Sequence, residues 1–237
     1  MPSTLLAKDY PTKDEWDKIL HTFSAEAVAH KFLLATTPYI FRNEPAKFAL
    51  FRRTIADAFG VAPTDVFIVG SALAGRSLKG RAIDKSYSPE SDIDALIVSE
   101  HLFASYVMKS FEWVKAVTAL EADDDDVKHA PTLSEAQVKQ IGRLSMNACK
   151  GIWRPDSLPH GAAARDSFFE RFNEVSLKVL GLQLSEDTVA KVNGRIARSF
   201  DDAARDFASS LRRLKLELDA LKGGHDAQKA HGAKKSS

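Results

Sequence analysis

Two short apolar runs, set among helix-patterned stretches, constrain this chain more than any other feature. In Asp65-Val66-Phe67-Ile68-Val69-Gly70 the apolar residues are closed by glycine, and Ile93-Asp94-Ala95-Leu96-Ile97-Val98 is entered through acidic residues. Short apolar runs bounded by turn formers predict buried strands. A buried strand needs helices or a second sheet to cover it, so the chain has to fold in layers.

The flanking sequence supplies the helices. Residues 14–20 and 25–34 carry apolar side chains at helical spacing, and Pro38-Tyr39-Ile40-Phe41 interrupts them. Helical spacing resumes from Pro45 to Phe59, with Phe48, Phe51, Ile55 and Phe59 on one stripe and Gly60 as the C-cap. Core packing is the plain role of that stripe. Helices are also expected over 102–120, over 134–150 with Ser134 as cap, over 165–180 and over 200–221. In the helix over 165–180, Phe168, Phe169, Phe172, Val175 and Val179 share one side. Residues 151–159 read as a loop or short strand, and 189–199 as a further strand.

The expected fold class is therefore α/β of the α+β kind, a small mixed sheet flanked by N- and C-terminal helices. Its expected division is a helical extension over 1–60, a core over 61–200, a C-terminal helix over 201–222 and a disordered polar tail over 223–237. His225 and His231 in that tail are not read as a metal site. The acidic run Asp123 to Asp126 is expected as an exposed loop, because consecutive carboxylates cannot all point at one ion.

Composition narrows the function classes. A hydrophobic share of 44% is enough for a real core, and a net charge of +1 argues against a dedicated duplex-DNA binder, which carries a basic excess. The single cysteine, Cys149, excludes an intramolecular disulfide and a cysteine-rich zinc site, and its helical setting predicts a buried small hydrophobe. No apolar run approaches a membrane span, and Met1-Pro2-Ser3-Thr4 does not open a signal peptide. A cytoplasmic location without a membrane partner is the expectation.

The chemistry lies at the ends of the two strands. In Ser91-Asp92-Ile93-Asp94 the period of two puts both carboxylates on one face and Ile93 on the other. On a buried edge two like charges would need a cation between them, and Mg²⁺ is the natural one because it prefers hard oxygen ligands. Val69-Gly70-Ser71 supplies the complement. Glycine lets the backbone approach a polyphosphate, the amides of the following turn can donate to phosphate oxygens, and Ser71 adds a hydroxyl. Phosphoryl or nucleotidyl transfer is the reaction such a set can perform. Taken singly, a Gly-Ser turn or an Asp-x-Asp pair is common in surface loops; their order along the chain is the specific part.

That order, Ile68-Val69-Gly70-Ser71 followed by Ser91-Asp92-Ile93-Asp94-Ala95-Leu96-Ile97-Val98, resembles the signature of the DNA polymerase β-like nucleotidyltransferases. The motif match covers about residues 66–99, and the surrounding layout is similar to bacterial and phage-type nucleotidyltransferase-domain proteins. The resemblance implies that Gly70 and Ser71 hold the triphosphate and that Asp92 and Asp94 hold Mg²⁺ or Mn²⁺. It implies transfer of a nucleoside monophosphate from a nucleoside triphosphate, ATP among them, to a hydroxyl of RNA, protein or a small molecule. Likeness to defence-associated members extends this to a toxin–antitoxin or phage-defence role.

Ser71-Ala72-x-x-Gly75-x-Ser77-Leu78 continues the pattern and adds Ser77 to the nucleotide-binding candidates. Arg76 and Lys79 could neutralise triphosphate charge or could simply face solvent. The loop over 79–90, with Lys79, Arg81, Lys85 and Tyr87, is longer than in compact family members and reads as a lid or a solvated insertion. Arg195 and Arg198, alternating with Ile196, are further candidates to face the nucleotide. Family members also carry a third carboxylate that helps to activate the acceptor hydroxyl. Asp156 is the first candidate for it, ahead of Glu186 and Asp187, although Asp156 next to Pro155 also suits a turn. Without a third carboxylate the alternative is a catalytically degenerate, nucleotide-binding regulatory module. A Gly-x-Gly-x-x-Gly fingerprint, a complete P-loop and a His-Glu-x-x-His motif are all missing from the sequence.

Overall fold

The computed structural model describes residues 6–88, 90–119, 133–181 and 191–233. Among them are eight α-helices and a four-stranded mixed sheet, so the fold is mixed α/β of the α+β kind. In chain order the elements are α1 (Lys13–Thr22), α2 (Ala25–Ala35), α3 (Pro45–Phe59), β1 (Val66–Val69) and α4 (Ser71–Ala74). They continue with β2 (Ile93–Val98), α5 (Glu100–Ala119), α6 (Glu135–Cys149), β3 (Ile152–Trp153), α7 (Ala163–Leu180), β4 (Val192–Ala197) and α8 (Phe200–Ala233).

The chain divides into two compact units. One comprises Met1–Asn43, Ile68–Ser91 and Ala204–Ser237, and the other Glu44–Phe67 and Asp92–Ala203. The chain passes from one to the other before Glu44, within β1, before Asp92 and in the first turn of α8.

In the first unit, α1 starts at Thr12, whose hydroxyl accepts from the Glu15 amide while the Glu15 carboxylate accepts from the Thr12 amide. This reciprocal cap satisfies two amides that the first turn of a helix leaves without partners. The buried face of α1 presents Trp16 and Ile19, and the indole of Trp16 stacks on Phe32 of α2 with ring centres 4.8 Å apart. Tyr39, in a 3-10 turn after α2, packs edge-on against Tyr10 and covers Gly75, where any β-carbon would meet its ring. The segment after α4 folds back on itself: the Tyr87 amide donates to the Gly75 carbonyl and the Ser77 amide to the Lys85 carbonyl. The Gly80 amide in this segment donates to the Glu217 carboxylate of α8 at 2.6 Å. That contact, together with the stronger one from Arg213, holds the Glu217 carboxyl below its ordinary range.

The second unit holds the sheet core. Strand order is β1-β2-β4-β3. β2 and β4 run parallel in register from Ile93 opposite Val192 to Val98 opposite Ala197, and β3 lies antiparallel to β4. Ile93, Ala95, Leu96 and Ile97 are all buried, as a strand covered on both faces requires. Helix α7 packs along α3, and Phe59, Phe168, Phe172, Trp153 and Tyr106 form a chain of ring contacts with centres 4.6–5.4 Å apart.

Several elements agree with the sequence reading. β2 and α3 have the expected bounds, Gly60 closes α3 with φ 67°, and Ser134 and Gln137 cap α6 reciprocally. The reading of Cys149 is corrected: it is the last residue of α6 and exposed, because the final turn leads away from the buried Leu144 side. Helix α8 runs to Ala233, through Gly223 and Gly224, well beyond the expected end at 221. Among the described residues no helix is long and apolar enough to cross a membrane. The acidic run Asp123 to Asp126, Glu186, Asp187 and residues 234–237 lie outside the described residues, as do the side chains of His225 and His231.

Candidate functional site

The first residues of β2 set the site of the second unit. The Ile93 amide donates to the Lys191 carbonyl at 2.9 Å, which pins the strand entry to β4. Ile93 is 1% exposed, and the pleat therefore turns Asp92 and Asp94 the other way, where both are exposed. The expected alternation is present. The expected burial is not: these carboxylates face solvent, where water screens their mutual repulsion.

Strand β4 brings Asn193 opposite Asp94, and the Asn193 side-chain amide donates to Asp92 Oδ2 at 3.4 Å. Asp94, Asn193 and Arg195 line a cavity of about 230 Å³ that Phe169 of α7 and the turn after β3 complete. That turn carries Arg154 and Asp156. Arg154 grips Asp156 at two points, Nε to Oδ1 at 3.0 Å and the terminal nitrogen to Oδ2 at 3.2 Å. The cavity thus presents two carboxylates, two guanidinium groups, one amide and one aromatic ring. Such a wall suits an anionic, partly planar molecule more than an apolar one.

Asp156 is exposed and shares the cavity with Asp94. The carboxylate oxygens of Asp92, Asp94 and Asp156 do not all lie within 4.8 Å of one another. Among the described residues the one acidic or histidine trio that does so is Asp17, His21 and Asp219 of the first unit. There the His21 ring reaches Asp219 at 3.1 Å and the Asp17 carbonyl at 2.7 Å, while Lys222 pairs with Asp17 at 2.6 Å. The spacing of four between Asp17 and His21 on α1 was the available sequence signal for that trio.

Gly70, Ser71, Arg76, Ser77 and Lys79 belong to the first unit. Gly70 ends β1 with φ 69° and ψ −148°, a conformation open to glycine and closed to other residues, and Ser71 then starts the four-residue helix α4. The Arg76 guanidinium donates to the Ile83 carbonyl at 3.2 Å, and the Ser77 hydroxyl accepts from the Lys79 amide at 3.2 Å. Both side chains therefore tie down their own loop. The Lys79 side chain is exposed. Arg198 follows β4 and pairs with Asp202, away from the cavity lining that Arg195 joins.

Sequence reading passed over Asn193, Phe169 and Arg154 as site residues. Asn193-Gly194-Arg195 interrupts the apolar signal of β4, and its register against β2 is a contact between residues about a hundred positions apart. No family model, curated protein or solved structure matches the chain.

Proposed function

We propose that this chain is a Mg²⁺-dependent nucleotidyltransferase, which moves a nucleoside monophosphate from a nucleoside triphosphate to a hydroxyl of RNA, protein or a small molecule. One observation carries the reading: β2 presents Asp92 and Asp94 on its solvent side, and Asp94 opens onto a cavity that holds Arg154 and Arg195.

The donor set fits the ion. Mg²⁺ keeps several waters and is commonly bound through one or two carboxylates plus substrate phosphates, so an exposed aspartate pair suffices. Asp92 and Asp94 would hold it. When bound, it would offset phosphate charge and help pyrophosphate to leave.

The side chains of the cavity have their own parts. Arg195 and Arg154 attract the anionic substrate and orient it. Asp156 takes the proton of the acceptor hydroxyl as its oxygen forms the new bond to the α-phosphorus and the bond to pyrophosphate breaks. The phosphate-contacting role of Gly70 and Ser71 rests on the sequence resemblance.

A second reading, a nucleotide-binding module without transfer, draws support from the same place. The in-register partner of Asp94 is an amide and not an acid, and Asp156 is engaged at two points by Arg154. The test is incubation of the purified chain with each labelled triphosphate, Mg²⁺ and cell extract. Label in an acceptor that is lost in Asp92→Asn and Asp94→Asn supports transfer. Calorimetric binding without turnover supports the second reading, and neither label nor binding overturns both.

A further inference from the structure

The two nitrogens of the His21 ring both face acceptors. Nδ1 lies 2.7 Å from the Asp17 carbonyl, and Nε2 lies 3.1 Å from Asp219 Oδ1. A neutral imidazole carries one N–H, so wherever that hydrogen sits, one lone pair meets an acceptor. The shorter contact, at Nδ1, takes the hydrogen, and the Nε2 lone pair then faces a carboxylate. A positive charge has to stand between them. The other carboxylate is incomplete as well. Asp17 Oδ1 is shut off from water and has no hydrogen-bond partner among the described residues; Nδ1 is 3.6 Å away.

Two cations can fill the gap, a second ring proton or a metal ion. A proton on Nε2 serves Asp219 alone and leaves Asp17 Oδ1 as it was. A metal ion serves both, since one ligand atom from each of Asp17, His21 and Asp219 lies within 4.8 Å of the others. An Nδ1–H held by a backbone carbonyl is also the arrangement that fixes the tautomer of a metal-binding histidine. One imidazole nitrogen with two carboxylate oxygens suits Zn²⁺ and its transition-metal neighbours more than Mg²⁺ or Ca²⁺, which prefer oxygen ligands. Asp17 lines a cavity of about 460 Å³, which gives an ion and its waters a way in.

The cations around that cavity set the competition. Lys13 is paired with Asp84 at 3.0 Å, and Arg81 is exposed. Lys222 is the direct rival: it holds Asp17, through Oδ2, at 2.6 Å. Its side chain is 54% exposed, so it can withdraw to solvent at little cost and leave the carboxylate to the ion.

We infer that Asp17, His21 and Asp219 form a binding site for a transition-metal ion of the Zn²⁺ class, held through His21 Nε2 and one oxygen of each carboxylate. All three residues belong to the first unit, and Asp92 and Asp94 to the second, so the inference is independent of the transfer reading. The ion ties α1 to α8 between residues 198 positions apart, and its binding stabilises that unit.

The test titrates Co²⁺, a coloured stand-in for Zn²⁺, into the full chain at neutral pH and then displaces it with Zn²⁺; thermal melts of every variant accompany it. Wild type is expected to develop the visible absorption of a bound Co²⁺ that Zn²⁺ abolishes. Zn²⁺ at about a hundredfold over its dissociation constant should raise the melting midpoint by about 5–10 °C. His21→Ala and Asp219→Asn should each bind about tenfold or more weakly. Lys222→Met, which frees Asp17, should bind more tightly. No saturable uptake by wild type means that a ring proton alone bridges His21 and Asp219, and it overturns the inference. Uptake that survives His21→Ala or Asp219→Asn places the ion elsewhere and overturns it too. Unchanged or weaker binding by Lys222→Met removes Asp17 from the ligands and overturns the three-residue site. Should His21→Ala fail to fold, Asp219→Asn, a substitution of equal size at a half-exposed position, decides.

Discussion

The ring of Phe172 fills the space into which a β-carbon on Gly194 would project: an ideal β-carbon there lies 2.4 Å from Phe172 Cζ. Phe172 is fully buried between Phe59 and Phe168, with ring centres 5.1 and 5.0 Å away, so it has no room to withdraw. Gly194 stands between Asn193 and Arg195, and the packing of α7 on β4 therefore sets the height of both site residues.

Gly194→Ala is expected to destabilise the chain by about 1–3 kcal/mol, the cost of overpacking a core that cannot relax. Pairing it with Phe172→Leu should recover part of the loss, since the smaller side chain vacates the contested volume. Urea denaturation of the single and double variants measures both effects. A Gly194→Ala variant as stable as wild type would show that the ring can move after all.

Asp92 and Asp94 are predicted to separate function from stability. Both are exposed, so Asp92→Asn and Asp94→Asn should each change unfolding free energy by no more than about 0.5 kcal/mol. Transfer of nucleotide label, if the proposed reaction is right, should fall by about a hundredfold or more. Retained transfer in the double variant would remove the aspartates from the mechanism.

The sequence legibly specified the local parts of this fold. The bounds of β2 follow from one apolar run, those of α3 from Pro45 and Gly60, and the start of α6 from Ser134 with Gln137 three residues on. Of the site, the alternation of Asp92, Ile93 and Asp94 was readable because a strand repeats every two residues. What was not readable depends on pairing between distant segments. Nothing near Asn193 announces that it will stand opposite Asp94, and nothing near Asp156 announces the grip of Arg154 in a 3-10 turn. Asp202 is a similar case. An acid in the first turn of a helix reads as solvent-facing, yet it is 2% exposed and held by Arg198 and Ser199.

A buried hydrogen-bond relay supports the aromatic core. Trp153 Nε1 donates to Ser110 Oγ at 2.8 Å, and that hydroxyl donates to the Tyr106 carbonyl at 2.7 Å. Ser110 is fully buried, so Ser110→Ala leaves the indole N–H without an acceptor and is expected to cost about 1–3 kcal/mol. Ser209 makes the matching control. Its hydroxyl also donates to a carbonyl of its own helix, that of Arg205, but at an exposed position, and Ser209→Ala should lie within about 0.5 kcal/mol of wild type. Equal effects of the two substitutions in denaturant titrations would mean that the relay contributes nothing beyond the helix contact.

The cap of α1 carries a pH dependence of definite sign. Lys8 donates to the Glu15 carboxylate, and the Thr12 amide adds a second bond at 2.9 Å; these, in that order, bring the carboxyl from its ordinary 4.5 to about 2. A folded-state value below the unfolded one means that the ionised form is favoured by folding. The contribution is therefore complete above about pH 4.5 and is lost as the pH falls from there through about 2. Glu15→Gln removes the charge but keeps an acceptor for the Thr12 amide, as a capping box tolerates. Wild type should melt slightly higher than the variant near neutral pH, with the gap closing as acid protonates Glu15. Added salt should narrow the neutral-pH gap, because the Lys8 contact lies at the surface and is screened. Melting midpoints of both proteins at matched pH and ionic strength read the difference directly, and the other carboxylates cancel in it. A gap that widens on acidification would assign the stabilising protonation state of Glu15 the wrong way round.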